Sequence, residues 1–195
     1  MDGTLVDSDA AVERAWTTWA TEHGVDPDAV LLVAHGSPPD PTVRRMRPDL
    51  DDRAVARAAA RQMDLQYDDL SDVVAAPGAG ALLATLARLG LPWAVVTSAD
   101  VRLAHARLDA AGLPDPPLLV TVEDVRAGKP DPEGYLFAAR QLGVDPERCL
   151  VVEDAGPGVE AGRAAGATVA GLRWIASDVP LADLGELAEL LLRVD

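Results

Sequence analysis

Cys149-Leu150-Val151-Val152-Glu153-Asp154-Ala155-Gly156-Pro157-Gly158 is the stretch on which the reading of this chain turns. An apolar run leads straight into two carboxylates, and a glycine-rich turn follows. A short apolar run bounded by turn signals suits a strand buried on both faces. The turn opens a predicted helix over 156–165, and Ala167 to Leu172 gives the next strand. The alternation continues upstream. Leu82, Leu83, Leu86 and Leu89 recur at helical spacing up to Gly90, and Trp93 to Thr97 reads as a strand. Val101, Ala104, Leu108 and Ala111 mark a helix stopped by Gly112, and Leu118 to Val120 a further strand. Asp131 and Pro132 suit the N-cap and first position of a helix running to Gly143, and a last helix covers about 181–192. Strands alternating with helices predict an α/β protein with a parallel sheet covered on both faces. Ligands of such sheets bind beyond the carboxyl ends of the strands. The candidate functional residues are therefore Met1-Asp2-Gly3-Thr4, Thr97-Ser98, Lys129-Pro130 and Glu153-Asp154.

The block between residues 9 and 72 reads differently, with no convincing strand. Ser8 can cap a helix whose inward positions are Val12, Ala15, Trp16, Trp19 and His23, ending at Gly24. A short segment from Ala29 to Val33 precedes a loop, His35-Gly36-Ser37-Pro38-Pro39, too rich in proline for a helix interior. A second long helix spans 51–67, with Val55, Ala59, Met63 and Tyr67 on one stripe. This predicts an all-helical domain over 11–73, inserted into a core formed by 1–10 and 74–195. Trp16 and Trp19 read as packing for that domain, Arg44 and Arg45 as a solvated pair, and Asp7 as a cap or loop brace. Cys149 reads as buried packing within a strand.

Composition narrows the partners. The chain has 195 residues, is 49% hydrophobic and carries a net charge of -15. That balance disfavours nucleic acid and anionic membrane, which attract basic surfaces. No apolar run approaches the roughly 20 residues of a membrane span, and Met1-Asp2 does not begin a signal peptide. A single cysteine suits a reducing cytoplasm. The expectation is a monomer acting on a small molecule.

The four strand-end segments, in this order, resemble the motifs of haloacid dehalogenase-type phosphatases. Asp2-Gly3-Thr4-Leu5-Val6-Asp7-Ser8 is similar to the first, Val95-Val96-Thr97-Ser98 to the second and Gly128-Lys129-Pro130 to the third. Val151-Val152-Glu153-Asp154 with Gly156 and Gly158 is similar to the fourth. Singly, Thr97 could serve its own backbone, Lys129 a surface turn, and Glu153-Asp154 a helix cap; four in order outweigh those readings. The resemblance implies a Rossmann-like core with an inserted helical cap, of the phosphoglycolate phosphatase and β-phosphoglucomutase branch. Sugar-phosphate and glycerol-phosphate phosphatases are the most similar. It further implies Asp2 as general acid and base, Thr97 and Ser98 as phosphate ligands, and Lys129 as a fixed positive charge. Mg²⁺ would be held by Glu153, Asp154 and Asp2, the last through its carbonyl, and His35-Gly36 would reach the substrate from the cap. Ser37 stands where these relatives tend to carry a basic residue. In the family pattern an apolar strand ending in the nucleophilic aspartate comes immediately before the position of Met1. The expectation is therefore an upstream segment of roughly 5–12 residues, one short strand long, without which the chain is inactive. The implied activity is Mg²⁺-dependent hydrolysis of a small phosphorylated metabolite. A mutase on the same scaffold and a non-catalytic binding protein are the alternatives.

Overall fold

The structure, a computed structural model, describes residues 1–34 and 38–193. A short ribbon joins the two ends of the helical block: β1 (Val6–Asp7) pairs antiparallel with β2 (Val74–Ala75). Between them run α1 (Asp9–His23), α2 (Pro27–Ala34), α3 (Pro39–Met46) and α4 (Asp52–Leu65). These helices share a core of their own around Trp16, Trp19, Val30, Val43 and Val55. The two indoles meet edge to face at 5.4 Å, and Trp19 Nε1 donates to Ala58 O at 2.9 Å, so the buried ring keeps its polar atom satisfied. Asp51 caps α4 by accepting from Ala54 N at 2.7 Å. Helix α3 was not expected from the sequence. Its prolines, Pro39 and Pro41, sit in the first turn, where a backbone N–H has no helical partner to lose.

The remaining helices are α5 (Ala79–Leu89), α6 (Val101–Ala110), α7 (Glu133–Leu142), α8 (Gly156–Ala164) and α9 (Leu184–Arg193). They flank parallel strands, as the alternation predicts, with Gly90 and Gly143 in the left-handed conformation closing α5 and α7. The sheet comes in two pieces. β3 (Val95–Val96) pairs with β4 (Leu119–Val120), and β5 (Leu150–Glu153) pairs with β6 (Thr168–Gly171), which pairs with β7 (Val179–Pro180). Among the described residues no strand joins β3 to β5. Between them lies an apolar slot of about 630 Å³, lined by Val95, Val96, Val151 and Val152 of the two strands and by Leu82, Leu83 and Leu187. Met1 lines both this slot and the candidate site.

Cys149 departs from the expectation. It lies just ahead of β5, closing the short 3₁₀ turn Pro146–Arg148, and is only half-buried. Among the described residues no helix is long and apolar enough to cross a membrane.

Candidate active site

The chain opens with a tight turn. The Met1 carbonyl accepts from the amides of Thr4, Leu5 and Val6 at 3.1, 2.8 and 3.1 Å. The turn passes through Gly3 at φ +69°, where a Cβ would lie 2.0 Å from Asp154 Oδ2. A glycine is thus required twice over, by the backbone and by the close approach of the carboxylate. Thr4 Oγ1 donates to Asp154 Oδ1 at 2.9 Å, tying the turn to the end of β5. Gly158 plays the matching part in α8: a Cβ there would meet the Glu153 carboxylate at 2.1 Å.

The sequence candidates converge on one cleft of about 360 Å³ between the core and the helical block. Asp2, Thr97, Ser98, Lys129, Glu153 and Asp154 all line it. Lys129 Nζ donates to Glu153 Oε1 and, at 3.1 Å, to Val96 O, while the Tyr135 hydroxyl donates to the same Glu153 oxygen. Glu153 is almost fully buried. Burial alone would push its carboxyl up, but the Lys129 charge, the chain's amino group and these hydrogen bonds hold it below the usual carboxylate range. Asp154 goes the other way. Burial raises it, reinforced by the neighbouring Glu153 charge and only partly opposed by the amino terminus and the Thr4 hydroxyl. Thr97 is buried, and its hydroxyl accepts from Ala99 N at 3.1 Å, which leaves its own proton to give. The Lys129–Pro130 peptide is cis.

Asp2 is brought to the cleft with its carboxylate turned to the side. Ser8 Oγ donates to Asp2 Oδ1 at 2.8 Å, and Arg107 Nη1 pairs with the same oxygen at 2.8 Å. Ser8 therefore stands at the N-cap of α1 without capping it through its side chain; its hydroxyl is spent on Asp2. Asp7 braces the same loop, accepting from Asp9 N at 3.3 Å. His35 and Gly36 lie outside the described residues. Arg44 pairs with Asp52 on the surface, in keeping with a solvated role.

Several cleft residues were not singled out from the sequence. Gln62 on α4, Gln66 at its C-cap, Arg107 on α6, Tyr135 on α7 and Arg173 after β6 all stand in or beside the site. Arg173 reaches Asp9 at 2.7 Å with φ +54°, followed by Trp174 at φ +62°. The available signal was a polar residue on an otherwise apolar stripe: Gln62 one position from Met63, Arg107 three from Ala104.

Among the described residues no three histidine, cysteine or carboxylate side chains converge as around a metal ion. The donor set is nevertheless all oxygen, and Asp154 is a buried carboxylate whose ionisation is opposed by its surroundings. A hard divalent cation beside it would relieve that cost, so the residues present suit Mg²⁺ at Asp154, with Glu153 next to it.

Residues 1–166 match the haloacid dehalogenase-like hydrolases. The chain is 44% identical to hexitol phosphatase A of Escherichia coli over 87% of its own length and 78% of the relative's. It is 35% identical to 2-deoxyglucose-6-phosphate phosphatase 1 of Saccharomyces cerevisiae, over 88% of this chain and 77% of that protein. A hydrolase from Pseudomonas syringae superposes with a TM-score of 0.79 at 28% identity, over 96% of this chain and 87% of the other. β-Phosphoglucomutase from Clostridium difficile superposes at 0.85 with 18% identity, over 99% and 92%, a likeness of fold. The spacing of the four strand-end segments, the cleft they build and the match over most of the sequence agree, and the chain belongs to the haloacid dehalogenase-like hydrolases.

Proposed function

We propose that this chain carries the site of a Mg²⁺-dependent phosphatase acting on a small phosphorylated sugar, polyol or glycerol phosphate in the cytoplasm. The observation that carries the reading is the meeting of Thr97, Lys129, Glu153 and Asp154 in one cleft, with Asp2 on its wall. The relatives support the substrate class: besides the hexitol and deoxyglucose phosphatases, glycerol-1-phosphate phosphohydrolase 2 of Saccharomyces cerevisiae is 30% identical over 88% of this chain and 72% of its own. In this reading residues 11–73 form a cap over the core.

The residues divide the work by position. The Thr97 hydroxyl and the Ser98 backbone hold phosphoryl oxygens, and the Lys129 ammonium neutralises charge as it builds on them. Asp2 gives its proton to the leaving alcohol oxygen and takes one back from the water that completes hydrolysis. It does so through its second carboxyl oxygen, Oδ1 keeping Ser8 and Arg107 as partners. Glu153, Asp154 and the Asp2 carbonyl would hold Mg²⁺, which shields phosphate from an attacking carboxylate.

The attacking carboxylate is assigned to an aspartate immediately ahead of Met1, at the end of an extended segment lying in the slot between β3 and β5. Its oxygen bonds to phosphorus as the ester oxygen departs, giving an aspartyl-phosphate that water opens. The test compares residues 1–195 with the same chain extended upstream by an apolar strand ending in Asp. The extended chain should hydrolyse an aryl phosphate in Mg²⁺, and the unextended chain should show negligible turnover. Equal rates would remove the upstream nucleophile from the scheme.

A further inference from the structure

We infer that Gln62, Gln66 and Arg107 form a hydroxyl-reading wall that selects an uncharged polyhydroxylated leaving group, a polyol or sugar, over one bearing a carboxylate. The inference rests on the phosphatase reading above and deepens it.

Gln62 lies on α4 and Gln66 four residues on, at the C-cap, where the backbone is still helical, so the two share one face. Gln62 is 1% exposed and lines the cleft, yet neither its amide nitrogen nor its amide oxygen has a partner among the described residues. Its neighbours on the buried face, Val55, Ala58, Ala59 and Leu65, offer it nothing polar from their side chains. A buried amide left unmatched opposes folding by about 1–3 kcal/mol. A glutamine with no structural work would therefore be better as leucine. Arg107 is 3% exposed, and its Nε is also without a partner. Gln62 and Arg107 both line the cleft, and a ligand held there would supply the bonds these three atoms lack.

The chemistry of that ligand follows from what the wall offers. Gln62 can donate and accept, and a hydroxyl does both. Arg107 is already spent as a charge: Nη1 faces Asp2 at 2.8 Å and Nη2 donates to Gln66 Oε1. The other described cations of the cleft wall, Lys129 and Arg173, likewise face Glu153 and Asp9. The wall thus presents hydrogen-bonding capacity without net positive charge, which suits hydroxyls and leaves a second anion unbalanced. Position agrees. Arg107 touches the proton donor assigned to the leaving oxygen, so a carbon chain extending from that oxygen passes the wall next.

The test uses titration calorimetry on residues 1–195 in MgCl₂ with four probes: inorganic phosphate, a hexitol 6-phosphate, a deoxy analogue of it, and phosphoglycolate. The wild-type chain should bind the hexitol phosphate more tightly than the deoxy analogue or phosphoglycolate, by about tenfold per lost hydroxyl bond. Gln62→Leu should lose about that factor for the hexitol phosphate alone, bind inorganic phosphate unchanged, and melt no lower than wild type. A merely structural glutamine would do the reverse, lowering the melting temperature with no change in ligand preference, and that result overturns the inference. So does a wild-type preference for phosphoglycolate, or equal affinity for the hexitol phosphate and its deoxy analogue; this comparison needs no variant and decides the matter should Gln62→Leu fail to fold. If residues 1–195 bind no phosphate probe, the same titrations are made on the chain extended upstream by an apolar strand ending in Asn; absence of binding there too defeats the phosphatase reading and the inference with it.

Discussion

Gly3 sits where backbone conformation and available space both forbid a side chain. Gly3→Ala should lose about 1–2 kcal/mol from the left-handed conformation alone, and its methyl must also displace Asp154. Urea denaturation should show the stability loss, and calorimetric titration with MgCl₂ a weaker metal affinity; an Mg²⁺ affinity equal to wild type would detach Asp154 from the metal. At this scale the sequence was most informative where chemistry fixes residue type at a strand end. Asp2, Thr97, Lys129, Glu153 and Asp154 were all named in advance and all line one cleft. The wall residues were not, because helical periodicity reports which face is buried and not what is buried against it. Gln62 occupies the same face of α4 as Val55 and Ala59, and nothing local distinguishes a polar residue awaiting a ligand from one turned to solvent.

At the scale of elements, the short pieces escaped the sequence. β1, β2 and β7 are two residues each and largely exposed, so no apolar run marks them. The long amphipathic helices were legible because their periodicity repeats, and β3 and β4, equally short, because each sits within a longer apolar run. β7 is held by side chains instead of length. Asp178 accepts from Val169 N at 2.8 Å and pairs with Arg163 at 2.9 Å, and the Val169 amide and then the guanidinium keep its carboxyl below the usual range. A depressed folded-state value means the ionised form is favoured by folding. The stabilisation is then fully present above the unfolded carboxylate value of about 4 and is lost as pH falls through the folded value. Wild type and Asp178→Asn should differ in urea midpoint at neutral pH and converge below about pH 4. Curves that stay parallel down to acid pH would show that the charge on Asp178 contributes nothing.

At the scale of the molecule, the two pieces of parallel sheet face one another across an apolar slot, with β3 on one side and β5 on the other. Parallel strands normally lie covered on both faces and paired at both edges inside an α/β fold. Here the facing edges of β3 and β5 have no strand between them among the described residues, and valines from both sides project into the space. The slot is apolar and borders both strands, as the place of a further strand would be. Leu82, Leu83 and Leu187 line it, and so does Met1, which also lines the active-site cleft. An extended apolar segment entering there would hydrogen-bond to both edges and deliver its last residue beside Asp2, Lys129 and Asp154. Each buried Val, Leu or Ile side chain would contribute about 1.5–3 kcal/mol, so a strand with two or three inward residues should stabilise the fold by several kcal/mol. An upstream extension of the kind proposed should therefore raise the urea midpoint strongly. It should also steepen the transition, because more surface is exposed on unfolding. Proline placed at the centre of the extension should abolish the gain, since it removes a ladder donor between two strands. A midpoint unchanged by the extension, or one insensitive to that proline, would mean that the slot does not receive a strand and that the two pieces of sheet are stable as separate units.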